Sequence, residues 1–133
     1  MPKIAHIILS VSNWEKSKGF YDKLMEAVGF EVGLSSEKDG FGLREYNKDG
    51  HSLMLQHEGQ IEHQDFVRYP GLNHIALFVD KKEKVDEVFK VTETLGTKIT
   101  RKPKDYPDYG DGYYAFYFRD PDGIPLEVCY YTE

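Results

Sequence analysis

Residues Tyr114–Tyr131 read YAFYFRDPDGIPLEVCYY, and the fold follows from how this stretch is parsed. Two apolar runs, Tyr114–Arg119 and Ile124–Tyr131, flank Asp120-Pro121-Asp122-Gly123. Proline presets φ for a turn, aspartate side chains bond backbone amides two residues on, and glycine takes the positive φ that other residues avoid. The runs are therefore expected to form a hairpin. Along the second run side chains alternate, placing Leu126, Val128 and Tyr130 on one face and Pro125, Glu127 and Cys129 on the other. A carboxylate in the middle of a short apolar strand is costly unless something satisfies it. A cation is its most economical partner, which makes Glu127 the first candidate site residue.

Upstream, the chain contains the same pattern once more. Asn47-Lys48-Asp49-Gly50 falls on Asp120-Pro121-Asp122-Gly123, and Ile4–Val11 (IAHIILSV) falls on Leu72–Val79 (LNHIALFV), with His74 standing 68 residues after His6. Between these ends Glu15-Lys16 falls on Glu83-Lys84, Phe20-Tyr21 on Val88-Phe89, and Gly29 near Gly96. Self-similarity of this kind marks repeated supersecondary units. In the first copy, Ile4–Val11 alternates as a strand, and Ser12-Asn13-Trp14-Glu15 has the form of a capping box. Apolar residues then recur at helical spacing through Trp14, Phe20 or Tyr21, Leu24 and Val28 before Gly29 ends the helix. Strands are expected at Phe30–Leu34, Phe41–Tyr46 and Ser52–His57. The second helix starts at its own capping-type sequence, Asp80-Lys81-Lys82-Glu83. The expected fold is α+β: one domain made of two β-α-β-β-β modules, residues 1–58 and 72–133, joined by a linker over 59–71. Its curved mixed sheets surround a concave cleft, with the helices outside.

Composition narrows the functional class. The chain has 133 residues, enough for a buried interior, and with 40% hydrophobic and 14% aromatic residues it is not a disordered segment. Its formal net charge of −6 lacks a basic footprint, so nucleic acid is set aside as a partner. The single cysteine, Cys129, cannot form an internal disulfide, and nothing at the N-terminus resembles a signal peptide; a reducing cytoplasm is the expected compartment. No apolar run approaches the roughly 20 residues that span a bilayer, so no membrane partner is expected.

The repeat also assigns strand faces. Ile7, Leu9 and Val11, like Ile75, Leu77 and Val79, form the faces that helices cover, which leaves His6, His74 and Glu127 on the opposite, concave faces. Two histidines and one carboxylate suit a divalent ion such as Fe, Mn, Zn, Ni or Co, with coordination positions left open for a substrate. Arg44, Tyr113, Tyr117 and Arg119 are expected on the concave side as substrate contacts, since arginine matches carboxylate or phosphate and tyrosine carries a hydroxyl on an apolar body. His51, His57 and His63 are expected in surface or helix-facing roles. Lys102–Gly112, rich in proline, glycine and aspartate, reads as a flap over the cleft.

The paired modules, His6, His74 and FRDPDGIPLEV at Phe118–Val128 together resemble the glyoxalase / bleomycin-resistance / extradiol dioxygenase superfamily, the vicinal oxygen chelate proteins. The resemblance covers essentially the whole chain. It implies that His6, His74 and Glu127 bind a divalent metal, and that members of this size pair as homodimers. In glyoxalase I proteins a further ligand, typically glutamate, stands where this chain has Met54, opposite Glu127 when the closing strands are aligned by their turns. A thioether suits a borderline ion poorly, so Met54 is expected to pack, with Gln56 two residues on as the other possible fourth position. The resemblance thus implies a metal-dependent enzyme, but not a glyoxalase I. Its ion would chelate a small-molecule substrate with vicinal oxygens in a lyase or isomerase, ring-cleavage dioxygenase or thiol-transferase reaction. The alternatives are a metal-free ligand-binding protein of the bleomycin-resistance kind and a catalytically idle module.

Overall fold

A computed structural model describes residues 2–59 and 61–132. The chain parts between Gln64 and Asp65 into two compact units. The first holds strand β1 (Ile7–Ser10), helix α1 (Trp14–Val28) and strands β2 (Glu31–Lys38), β3 (Phe41–Lys48) and β4 (His51–His57). The second holds β5 (Ile75–Phe78), α2 (Lys82–Thr94), β6 (Ile99–Asp105), a 3-10 turn at Pro107–Tyr109, β7 (Tyr114–Arg119) and β8 (Pro125–Tyr130). Between His57 and Ile75 the described residues form neither helix nor strand; Gln60, within the expected linker, lies outside the described residues.

Each unit contains one four-stranded sheet, ordered β1-β4-β3-β2 and β5-β8-β7-β6. The first and last strands of each module pair in parallel and the remaining neighbours are antiparallel, so both sheets are mixed. The anticipated β-α-β-β-β repeat and α+β class are observed. The parallel pair explains the crossover helix: two parallel neighbours cannot be joined by a tight turn, and the helix spans the sheet between them.

Local chemistry builds the turns. Asp49-Gly50 and Asp39-Gly40 both have positive φ at each residue (51° and 83°; 51° and 80°), the two-residue turn whose twist matches that of the flanking strands. The β7–β8 hairpin closes when Asp120 Oδ1 accepts the amides of Asp122 and Ile124, each at 2.8 Å, while Gly123 takes φ 84°. In the first unit α1 packs Phe20, Tyr21, Leu24 and Met25 inward, and Tyr21 meets Tyr46 of β3 at 6.4 Å between ring centroids. In the second unit Val85 and Val88 of α2 are fully buried, and Phe89 meets Phe116 of β7 edge-on at 5.3 Å.

Several local expectations are corrected. The α1 N-cap is Asn13 rather than Ser12, its side chain accepting the Lys16 amide at 3.1 Å. At α2 the cap is Lys81, which has no side-chain cap bond. The strand expected at Phe30–Leu34 runs on to Lys38, because Asp39-Gly40 is itself a hairpin turn. The expected flap Lys102–Gly112 is half strand: β6 continues to Asp105, and Pro103 is tolerated because β6 is an edge strand. His6 and His74 each lie one residue ahead of their strands rather than within them.

Candidate functional site

Glu127 occupies the middle of β8 between Ala76 of β5 and Tyr117 of β7, its partners in register. Strand alternation turns it away from the α2 side, where Leu126 and Val128 pair with Phe118 and Phe116. Its side chain is 2% exposed, so both carboxylate oxygens need partners from the protein. Oε1 lies 2.9 Å from His74 Nε2, and Oε2 accepts the Tyr113 hydroxyl at 2.6 Å. On the other side of the ring, His74 Nδ1 lies 2.6 Å from Asn73 Oδ1, which orients the imidazole. Tyr117 stands edge-on to that ring at 6.0 Å.

This pair opens on a cavity of about 600 Å³ that lies wholly within the second unit and is also lined by Arg68, Arg101, Tyr117 and Arg119. Burial, reinforced by the Glu127 carboxylate, pushes the Tyr113 and Tyr117 hydroxyls well above the usual tyrosine range, so both act as neutral donors or apolar walls. Burial also pushes the Cys129 thiol up to about 11, a protonated and unreactive state at neutral pH.

The donor pair fits a divalent ion. Two ligands each ~2.1 Å from one metal at right angles lie about 3 Å apart, which is the His74–Glu127 separation. An ion at these atoms would take the place of the direct Nε2–Oε1 contact. Asn73 and Tyr113 already hold the outer sides of the imidazole and the carboxylate, the kind of support that metal ligands commonly have. Among the described residues, no cluster of three or more His, Cys, Asp or Glu side chains is gathered as a metal site. His6 belongs to the first unit.

The first unit has the same register with different chemistry. Ile8 pairs with Met54, and Met54 with Glu45, where the second unit pairs Ala76 with Glu127 and Glu127 with Tyr117. Met54 is thus the structural counterpart of Glu127, and it is buried at 7% exposure. Gln56 pairs with Ser10 and Leu43 and donates to Glu58 at 2.6 Å. The expected concave placement of Arg44 is corrected. Arg44 shares its strand face with Tyr46, and both reach α1: Arg44 grips Asp22 at 2.7 and 2.9 Å, and the Tyr46 hydroxyl donates to Asp22 at 2.7 Å. His57 bonds the Val11 carbonyl through Nδ1 at 3.0 Å.

Three residues escaped the sequence reading. Glu45, beside Met54, is held below the usual carboxylate range first by the Ser52 hydroxyl and then by the Leu34 amide. Its position on the Met54 face was readable from the turn at Asp49-Gly50. Arg101 reaches the cavity because β6 changes register between Ile99, paired with Phe118, and Arg101, paired with Tyr117. Simple alternation would put 99 and 101 on one face; the bulge re-aims the arginine. Arg68 lies in the segment expected to be linker, which carries no periodicity to read.

Residues 3–128 match the family model described as "Glyoxalase/Bleomycin resistance protein/Dioxygenase superfamily". The uncharacterized protein YqjT of Bacillus subtilis (strain 168) is 28% identical over 130 residues, covering 92% of this chain and 94% of YqjT. The manganese-dependent 2,3-dihydroxybiphenyl 1,2-dioxygenase of Geobacillus genomosp. 3 is 28% identical over 136 residues, 98% of this chain but 37% of the dioxygenase. A variant of the genomically encoded fosfomycin resistance protein FosX from Listeria monocytogenes, complexed with Mn(II) and 1S,2S-dihydroxypropylphosphonic acid, has the same fold: TM-score 0.70 at 22% identity, over 99% of this chain and 92% of that one. Among the described residues no helix is long and apolar enough to cross a membrane.

Proposed function

The chain belongs to the glyoxalase/bleomycin resistance protein/dioxygenase superfamily, and from that premise we propose that it is a divalent-metal-dependent enzyme acting on a small molecule with two neighbouring oxygens. The observation that carries this reading is the buried Glu127 carboxylate, 2.9 Å from His74 Nε2 and facing a cavity of about 600 Å³. His74 and Glu127 are the proposed protein donors of the second unit. His6, its counterpart in the first module, is the proposed third. A bound divalent ion would supply Lewis acidity toward a substrate oxygen. The protein's own groups do the rest: Asn73 orients the imidazole, Tyr113 holds Oε2, and the aromatic walls exclude water around the substrate.

With Met54 at the counterpart position of Glu127, a set of three protein ligands is proposed and useful glyoxalase I activity is not expected. Dimerisation through paired modules is proposed as well, and light scattering giving a monomer mass at micromolar protein would refute it. Metal analysis of protein purified without chelator, with Mn(II) thermal-shift titration, tests the central reading. Wild type should bind and gain stability. His6→Ala, His74→Ala and Glu127→Gln should each lower metal content, and unchanged content in the last two removes the metal reading.

One observation favours a second reading, a metal-free ligand-binding protein: Glu127 is already satisfied by His74 and Tyr113. Ligand binding undiminished in metal-free protein, together with no Mn(II) response, would select it.

A further inference from the structure

The charge lining the second unit's cavity runs against that of the molecule. The chain carries a formal net charge of −6, yet this one cavity is lined by Arg68, Arg101 and Arg119 against a single acidic residue, Glu127. Glu127 is committed to His74 and Tyr113. The guanidiniums are also held in place. Arg68 and Arg119 both lie over the ring of Phe66, each at 5.6 Å from its centroid, and Arg101 lies over Tyr117 at 5.9 Å. Phe66 is seated in turn against the β7–β8 turn, where a Cβ on Gly123 would meet it at 3.7 Å. A guanidinium has five N–H donors, so cation–π contacts and one or two internal hydrogen bonds still leave donors for a ligand. Each arginine commits part of its donor set within the protein: Arg68 Nη1 donates to the Asn73 carbonyl, Arg119 Nη1 to the Gly123 carbonyl at 2.9 Å, and Arg101 interacts with the Tyr106 hydroxyl.

We propose that this cavity binds a small substrate carrying a terminal oxyanion on an apolar or aromatic body, the oxyanion held by Arg101 and Arg119 with Arg68 at the rim and the body lying against Tyr109, Tyr117 and Pro125. The inference rests on the reading of this cavity as the substrate site and adds the chemical class it takes. A forked guanidinium pairs with two oxygens of one carboxylate, phosphonate or phosphate, and the shared chemistry is the oxyanion. The register change in β6 gains a purpose: without it Arg101 would leave the face that carries Tyr117 and Glu127. A volume of about 600 Å³ suits a ligand of metabolite size rather than a chain.

The test uses the metal-stripped 133-residue chain and calorimetry with benzoate, phenylphosphonate and neutral benzamide. One or both anions should bind, benzamide should not, and binding should weaken as salt rises; the preferred anion identifies the source. Arg101→Gln should weaken binding about ten-fold or more, the loss expected when a charged donor is removed. It is the cleaner variant, since Arg119 also ties the turn at Gly123. Arg101→Gln/Arg119→Gln should abolish binding while circular dichroism and the melting transition show a folded protein; if that double variant unfolds, Arg101→Gln alone decides. Equal binding of benzamide and the anions, no anion binding at millimolar concentration, or an unchanged Arg101→Gln variant overturns the proposal. Metal content is measured in the same variants. Retained metal with no anion binding defeats this inference alone, whereas anion binding in a protein that takes no metal defeats the metal reading alone.

Discussion

The two units are built on one plan and differ where chemistry is decided. In each, the first strand pairs in parallel with the last, and one register position faces its neighbour across both strands. The second unit places Glu127 there, between Ala76 and Tyr117; the first places Met54, between Ile8 and Glu45. The arginines diverge as well. Arg44 is spent on Asp22 of α1, whereas Arg101 and Arg119 line a cavity. One backbone thus tolerates a buried thioether or a buried carboxylate at the same point, so Glu127 is not required by the fold. A costly group that the fold does not require points to function.

Making the second unit resemble the first gives the largest expected effect. Glu127→Met should abolish the Mn(II) response, a loss of about 3 kcal/mol of stabilisation at metal one hundred-fold above Kd. Metal-free stability should fall by about 1–2 kcal/mol, because the Tyr113 hydroxyl and the partly exposed His74 Nε2 lose their common acceptor. Thermal melts with and without Mn(II) separate the two. A variant that melts far below wild type without metal would make Glu127 structural.

The reverse exchange is expected to be harder on the protein. Met54→Glu buries a carboxylate directly across from Glu45, and like charges on paired strand positions repel. Urea unfolding of the metal-free variant should show a loss of about 1–3 kcal/mol. Divalent metal should recover part of it if the new oxygen joins a metal site. Unchanged metal-free stability would mean that position 54 opens to solvent.

The contrast between units also explains what could be read without coordinates. The repeat and the Met54–Glu127 equivalence were legible because turns such as Asp49-Gly50 and Asp120–Gly123 number the strands, and alternation carries that count along them. Arg44 was expected on the concave side; Tyr46, on the same strand face and fixed by Tyr21 and Asp22, gives the true parity. Arg101 was beyond reach because a bulge breaks the count between Ile99 and Arg101. Tyr113 stood among the substrate contacts, but its bond to Glu127 depends on how the chain returns from the Pro107–Tyr109 turn, which no periodicity encodes.

A more modest effect tests the assignment of the arginines. Asp22→Asn removes the charge that Arg44 grips and weakens the acceptor for Tyr46. The cost should be about 1–2 kcal/mol, the lower part of the range for charged hydrogen bonds because both side chains are partly exposed. Metal uptake and anion binding should stay at wild-type levels, since α1 and Arg44 belong to the scaffold of the first unit. A selective loss of anion binding in Asp22→Asn would return Arg44 to the ligand site.

The smallest expected effect comes from the helix starts, where the units again differ. Asn13 enters α1 with φ −125° and ψ 104° and accepts the Lys16 amide, whereas Lys81 enters α2 in the same extended region, φ −143° and ψ 141°, and offers no acceptor. Lysine there also sets a positive charge at the end of the helix where the dipole favours a negative one. Because the backbone at 81 already has the conformation an N-cap needs, Lys81→Asn should add the missing side-chain bond without strain. The gain expected is about 0.5–1 kcal/mol, and Asn13→Ala should lose about as much from α1. Chemical denaturation of the two single variants and the double variant measures both. If the caps act independently, the double variant lands near wild type, because residues in separate helices with no shared partners add. A Lys81→Asn variant less stable than wild type would show that the lysine stem covers apolar surface at the start of α2 and that packing, not capping, decides this position.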